Sequence, residues 1–152
     1  MYRHVKQPFS VLVIVYTPER KVLLLERSDF CGFWQSVTGS IESGESFTDT
    51  AVRELHEETG LNASLDGVLT DLKHEVRYEI YPQWRHRYSP NTTHNIEHWF
   101  SFRVPQICSI ALERREHNRY LWLPAINAAE KAFSPSNREA ILSLFERVTD
   151  CD

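Results

Sequence analysis

The sequence predicts an α+β fold in which a mixed β-sheet is covered by helices. Strand-like segments come in groups, and each group is followed by a segment that carries helix signals, an order typical of layered mixed folds. The chain has 152 residues, which suits one domain, and no internal repeat or linker divides it. We therefore expect a single domain over residues 1–152.

The predicted strands are recognised by apolar runs and by alternation. The run Ser10–Tyr16 is continuously apolar and β-branched, and Lys21–Glu26 follows it after a turn, so the two segments are expected to form a hairpin. Further strands are predicted at Trp34–Thr38, Lys73–Tyr81, Glu97–Val104 and Tyr120–Leu123, with a polar loop over 82–95.

Two helices are predicted from capping signals. The first covers about 46–59, with a capping box of Ser46 and Asp49 at its start and Gly60 just past its end. A second capping box, Ser136 with Glu139, predicts the start of the final helix. Its apolar stripe consists of Ile141, Leu144, Phe145 and Val148.

The composition restricts the classes of function. A net charge of −4 argues against a general nucleic-acid binder, and three widely spaced cysteines argue against a disulfide framework or a zinc site. The longest apolar run is too short to span a bilayer, and the first ten residues lack the pattern of a signal peptide. We expect a cytoplasmic monomer or weak homodimer that binds neither membrane nor nucleic acid.

Carboxylates are concentrated on the first predicted helix. At 100° per residue, Glu54, Glu57 and Glu58 fall within one third of the helix circumference, whereas Val52 and Leu55 lie on another side and can face the core. Neighbouring carboxylates at this spacing repel by about 3 kcal/mol per pair at an effective dielectric of about 20. A solvated acidic face is one interpretation; a site for a divalent, oxygen-preferring cation such as Mg²⁺ is the other.

The surrounding residues favour the metal site. The stretch 39–61 fits the pattern G-x5-E-x7-R-E-U-x-E-E-x-G-U, where U is a bulky apolar residue, and chance matches occur on the order of 10⁻⁹ per starting position. The matching residues are Gly39, Glu45, Arg53, Glu54, Leu55, Glu57, Glu58, Gly60 and Leu61. This pattern is the Nudix box, and the chain resembles Nudix hydrolases.

The resemblance implies an α/β/α sandwich with a mixed sheet between helices. It implies cleavage of a nucleoside diphosphate linked to another group, with Mg²⁺ as cofactor and Mn²⁺ as a substitute. It further implies that Arg53 orients the glutamates of the box and that Glu54, Glu57 and Glu58 hold the metal. Arg53, Glu54 and Glu57 are thus expected to be catalytic.

Segments outside the box indicate the substrate. WQSVTGSIESGE, RHRY and SNREAI are similar to the bacterial Nudix branch that hydrolyses dihydroneopterin triphosphate to the monophosphate and pyrophosphate, a step toward folate. This similarity implies that Glu116 is a catalytic metal ligand, although Glu113 is a nearby rival. The implied substrate contacts are Lys6, Arg27, Thr38, Tyr78, Glu79, Ile80, Tyr81 and Ser134.

Alternative interpretations remain open at this point. The cations and tyrosines implied to contact substrate are also typical surface and packing residues, and a solvated loop is the favoured interpretation for Arg85 and Arg87. A general (d)NTP or oxidised-purine pyrophosphohydrolase and a dinucleoside polyphosphate hydrolase share the box. A catalytically silent binding module would have a broken box, and this box is intact.

Overall fold

The computed structural model of the protein describes residues 5–149, with side chains described as far as residue 146. Seven strands and three α-helices follow one another within this range, and a 3₁₀ turn lies at Pro82–Arg87. The strands are β1 (Phe9–Tyr16), β2 (Lys21–Arg27), β3 (Trp34–Gln35), β4 (Val37–Ser40), β5 (Val68–Glu79), β6 (His94–Arg103) and β7 (His117–Pro124). The helices are α1 (Phe47–Thr59), α2 (Ala125–Lys131) and α3 (Pro135–Thr149).

The sheet is mixed and divides into two halves. Its order is β3-β2-β1-β6-β5, with β4 paired to β1 and β7 paired to β2. β1 runs parallel to β6 over its whole length but meets β2 only at the pair Tyr16–Val22, because β4 takes its other edge from Ser10 to Val13. One half-sheet is therefore β4-β1-β6-β5 and the other is β3-β2-β7.

Helices cover both faces of the sheet, as predicted. Along β1, Val11, Val13 and Val15 pack in the core beneath α1, with Leu55 of that helix. Leu12 and Ile14 point to the opposite face and pack beneath α2 and α3. These side chains are essentially excluded from solvent, and each contributes roughly 1.5–3 kcal/mol by burial. The α+β sandwich expected from the sequence is confirmed.

The fifth strand differs from its predicted bounds. It begins at Val68, five residues before the expected start at Lys73. Lys73 has a positive φ of 52°, and the register with β6 shifts between Asp71 and Glu75. This bulge breaks the period-two alternation, so the first half of the strand carries no regular pattern in the sequence.

The helices also differ from prediction. α3 begins at Pro135 rather than at Ser136, because the Ser134 hydroxyl accepts a hydrogen bond from the Asn137 amide at 3.1 Å and caps the helix. α2 and the 3₁₀ turn were not predicted. Val52 is exposed, and Ala51 packs beside Leu55 instead. The Val148 side chain lies outside the described part.

The extended piece predicted at 34–38 is two strands, β3 and β4, which pair with different partners. Among the described residues, no helix combines the length and the apolar character needed to cross a membrane.

Candidate active site

One cavity of about 720 Å³ opens between the two half-sheets. Its walls come from β1 and β4 on one side and from β2, β3 and β7 on the other, with α1 and the start of α3 completing it. All of the side chains that the sequence predicts as site residues line this cavity: Lys6, Arg27, Thr38, Arg53, Glu54, Glu57, Glu58, Tyr78, Glu79, Ile80, Tyr81, Glu116 and Ser134. Their functional assignments stay predictions.

Caps at both ends of α1 fix the position of the helix and of the glutamates that it carries. Ser46 caps the helix with the predicted capping box, and Gly60 closes it in the left-handed conformation at φ 78°. Leu55 is fully buried against the sheet. Glu54 and Glu58 lie beside Leu55 and on the same side of the helix as one another. Their side chains therefore line the cavity.

Arg53 gathers the carboxylates of the box. Its guanidinium donates two hydrogen bonds to Glu45, at 2.7 and 2.9 Å, and one to Glu54 at 2.6 Å. A longer contact of 3.2 Å reaches Glu57, and a further bond at 3.0 Å goes to the Ser40 carbonyl. The bidentate bond from Arg53 lowers the pKa of Glu45 to about 2, so this carboxylate stays charged at neutral pH.

Glu58 is a buried carboxylate without a cation beside it among the described side chains. The residue is 1% exposed, and its nearest polar groups, the Glu54 carboxyl and the Thr38 backbone N–H, do not form well-aligned hydrogen bonds with its oxygens. Burial raises its pKa well above the ordinary value, and the adjacent Glu54 carboxyl adds to the shift. Such an orphaned acid is costly unless something positive occupies the cavity beside it.

Gly39 allows Glu54 to approach the backbone of β4. A Cβ at this position would lie 2.1 Å from Glu54 Cδ, far inside contact distance. A side chain at this position would therefore displace Glu54, so the glycine is explained by close approach and not by its φ, which is outside the left-handed region. Without a side chain there, the Glu54 carboxyl rests directly against the strand.

The oxygen donors fit a hard divalent cation. Glu54 and Glu58 supply buried carboxylate oxygens, and Glu57 and Glu116 stand at the exposed side of the cavity. Within the described residues, no three acidic, histidine or cysteine side chains are already gathered as a metal cluster. Because Arg53 holds Glu57 at 3.2 Å, the predicted ligands are not preassembled around one point.

Basic side chains line the cavity close to these carboxylates. Burial lowers the pKa of Lys6, and the neighbouring Arg87 and Arg27 lower it further. Arg27 is fixed by a bidentate pair with Asp29, at 2.8 Å for both bonds, and lies 4.8 Å from the centre of the Trp84 ring. These positive groups can bind the phosphates of a substrate.

Arg87 belongs with Lys6 and Arg27 to the positively charged part of the cavity, called here the cationic wall. The sequence favoured a solvated loop for this residue. Arg87 instead lines the cavity and pairs with Asp29 at 3.2 Å. Arg85 does not line the cavity and pairs with Glu79. The two arginines alternate along a polar segment, so the sequence offered no signal to separate them.

Aromatic residues form a further part of the cavity wall, called here the aromatic wall: Tyr78, Tyr81 and Trp84. Tyr78 and Tyr81 line it, and burial raises the pKa of both phenols. Tyr81 packs edge-on against Trp84, with ring centres 5.5 Å apart. Ile80 between them is buried, whereas the Glu79 side chain is 67% exposed. This wall suits a flat ring.

Two predicted contact residues already use their hydroxyls within the protein. Thr38 donates to the Val11 carbonyl at 2.9 Å, and Ser134 caps α3. Each still borders the cavity.

Sequence reasoning missed several cavity residues. His117 lies 3.7 Å from the Glu58 carboxylate, and its Nε2 is 3.1 Å from Gln35 Nε2. Burial lowers the pKa of His117 to about 4, and Arg27 contributes, so the ring is neutral at physiological pH. Glu97, a buried acid on β6, was also missed. In the sequence, the only indication that His117 belongs to the site is that it directly follows Glu116. No sequence pattern indicates that Glu97 belongs to it.

Known proteins resemble this chain along most of its length. A NUDIX domain matches residues 6–144. The dihydroneopterin triphosphate diphosphatase of Escherichia coli (strain K12) is 43% identical over 138 residues, covering 90% of this chain and 91% of that protein. The enzyme of the same name from Haemophilus influenzae is 44% identical over 134 residues, covering 87% and 84%.

A solved structure agrees with these sequence matches. The E. coli dihydroneopterin triphosphate pyrophosphohydrolase has a TM-score of 0.86 and 42% identity to this chain, and the match covers 90% of this chain and 94% of that one. The domain match, the identities and the shared fold lead to one conclusion: the chain belongs to the NUDIX family of hydrolases.

Proposed function

We propose that the protein hydrolyses dihydroneopterin triphosphate to dihydroneopterin monophosphate and pyrophosphate. The observation that carries the proposal is that the carboxylates of α1, the cations and the tyrosines line one cavity and are neighbours in turn. Lys6 lies near both Glu54 and Arg27, the Arg27 guanidinium lies over the Trp84 ring, and Trp84 packs against Tyr81. That order matches a substrate with a metal-binding phosphate chain at one end and a flat ring at the other. The identity to enzymes named for this reaction supports the choice of ring.

In this proposal, the side chains of the cavity bind the phosphates, position a carboxylate and accept a proton. Lys6, Arg27 and Arg87 bind phosphate oxygens and hold the chain against α1. Arg53 keeps the Glu54 carboxylate in place through its 2.6 Å bond. One of the glutamates that line the cavity accepts the proton of the attacking water. The anhydride bond between the α- and β-phosphates breaks, and pyrophosphate leaves.

Divalent metal cations generally serve NUDIX enzymes. We propose Mg²⁺ here, with Mn²⁺ as a substitute, held by Glu54, Glu57, Glu58 and Glu116. When bound, the cation offsets phosphate charge and lowers the pKa of water. The oxygen-only donor set and the orphaned oxygens of Glu58 support this assignment.

Glu116 and Glu113 give a matched pair of variants. Glu116 lines the cavity, whereas Glu113 does not and is held by Arg115 at 3.0 Å. We expect Glu116→Gln to lower kcat by more than about tenfold with a smaller change in KM, since a metal ligand acts mainly in the transition state. Glu113→Gln should change both constants by less than about twofold. Equal effects of the two variants would contradict the assignment of Glu116.

The substrate is tested by comparing kcat/KM for dihydroneopterin triphosphate, dGTP, dATP and diadenosine tetraphosphate in saturating Mg²⁺. We expect the highest value for dihydroneopterin triphosphate and a lower one for dGTP, because guanine shares the hydrogen-bonding edge of a pterin but carries ribose. Phosphate and pyrophosphate are quantified separately. A higher value for dGTP or for diadenosine tetraphosphate would refute the pterin assignment, and release of single phosphates would refute the cleavage position.

A further inference from the structure

We infer that Glu97 is the residue that recognises the substrate ring by its edge, accepting hydrogen bonds from two adjacent N–H donors. The ligand class is a heterocycle with a ring N–H beside an exocyclic amino group, as in pterins and guanine. The inference rests on the proposed function for the choice of a pterin, but the edge chemistry is common to both rings.

Glu97 is a carboxylate enclosed at the wall of the cavity. It lies on β6 opposite Ser10 of β1, is 5% exposed, and lines the cavity. Trp99 donates its indole N–H to Glu97 Oε1 at 3.0 Å. No arginine, lysine or histidine within the described part forms an ion pair with this acid, unlike the buried Glu26, which Arg119 neutralises at 2.8 Å.

Packing alone gives no reason for an acid at this position. Burial raises the pKa of Glu97, and the hydrogen bonds from Trp99 and Ser136 counteract that shift only in part. A glutamine would accept the same bond from Trp99 without the cost of burying an ionisable group. An enclosed acid without a cation that borders a cavity is typical of a site that receives donors from a ligand.

The surroundings of Glu97 place it where the ring is expected. Its charge contributes to the raised pKa of both Tyr78 and Tyr81, after burial, so the acid lies near the two predicted stacking residues. A ring against these tyrosines can turn its edge toward Glu97. A carboxylate accepts from the ring N–H and the amino group together, whereas adenine would present an unprotonated nitrogen to the same oxygens.

Glu79 is the rival acid, because the sequence places it in the segment implied to contact substrate. Its side chain is 67% exposed and pairs with Arg85. An exposed and neutralised carboxylate contributes little discrimination, since water competes for the same donors. The geometry therefore favours Glu97 over Glu79 as the group that distinguishes rings.

The inference is tested with Glu97→Gln, Glu79→Gln and the exposed control Glu139→Gln. kcat/KM is measured for dihydroneopterin triphosphate, dGTP and dATP in saturating Mg²⁺, and the melting temperature of each variant is recorded. We expect Glu97→Gln to lower the values for dihydroneopterin triphosphate and dGTP by about 10- to 100-fold. The value for dATP should stay within about threefold, which shows that the phosphate site is intact.

Three outcomes would overturn the inference: an unchanged dGTP-to-dATP ratio in Glu97→Gln, a ratio that changes only in Glu79→Gln, or a wild type that does not distinguish dGTP from dATP. A uniform loss on all three substrates with a lower melting temperature would assign Glu97 a structural function instead. The proposed function fails separately, if wild type prefers dGTP to the pterin while Glu97→Gln still abolishes discrimination between dGTP and dATP.

Discussion

Glu58→Gln is expected to abolish hydrolysis and, without divalent cations, to raise the melting temperature. Glu58 is 1% exposed, and its oxygens lack a well-aligned hydrogen bond, so the metal-free fold carries a buried acid that no cation compensates. Relief of about 1–3 kcal/mol raises the melting temperature by roughly 2–12 °C in a domain of this size. Loss of a metal ligand should lower kcat by at least about 10²-fold.

The stability gain should depend on pH in a defined direction. Burial raises the pKa of Glu58 well above its ordinary value of 4.5, so protonation stabilises the folded protein. That contribution is present below the unfolded pKa and is lost as the pH rises through the folded pKa. The difference in melting temperature between variant and wild type should therefore be small below pH 4.5, should grow as the pH rises above it, and should level off once the pH passes the folded pKa.

Glu57→Gln provides the contrast for this experiment. The Glu57 side chain is 48% exposed, so its variant should lose activity without gaining stability. Melting curves with and without Mg²⁺ supply a readout independent of turnover: Mg²⁺ should raise the melting temperature of wild type more than that of either variant. The exposed Glu130→Gln serves as the control. Near wild-type turnover in Glu58→Gln, or an equal Mg²⁺ shift, would contradict the metal assignment.

Gly39→Ala is expected to lower kcat/KM by about 10²-fold, although the substitution adds a single methyl group. The new Cβ would lie 2.1 Å from Glu54 Cδ, so the glutamate or the strand must move. A displacement on the order of 1 Å at a predicted metal ligand is sufficient for such a loss. Steady-state kinetics and the melting temperature are both measured, because the clash should also destabilise the fold.

A double-mutant cycle with Glu54→Ala identifies the cause. If the methyl group acts by collision with Glu54, Gly39→Ala should cost much less stability once that side chain is shortened. Activity should not return, since Glu54 is itself a predicted ligand. Additive losses of melting temperature in the double variant would show that Gly39 matters for backbone reasons and would refute the close-approach argument.

The parts of the site that depend on local geometry could be predicted from the sequence. Helical periodicity alone places Glu54, Glu57 and Glu58 on one side of α1, and the capping box at Ser46 fixes where that helix begins. Contacts across the sheet could not be predicted. Glu97 reaches the cavity through the parallel pairing of β6 with β1, which joins residues far apart in the chain.

Local exceptions to regular patterns account for the misplaced boundaries. The bulge at Lys73 depends on a left-handed backbone conformation that lysine rarely adopts. The residue type therefore could not predict the bulge. At the start of α3, Ser134 and Ser136 both offer capping hydroxyls, and Pro135 at the first helical position decides in favour of Ser134.

The division of the sheet into two half-sheets affects which ligand-facing side chains can be replaced without disturbing the backbone pairing. Because β1 meets β2 at one residue pair, the backbone ladder of each half-sheet is complete without the other. Side chains such as Arg27 on one half and Glu97 on the other can then be exchanged independently, since neither exchange removes a backbone hydrogen bond across the cleft. Exchanges of ring-facing and phosphate-facing side chains therefore leave both backbone ladders intact.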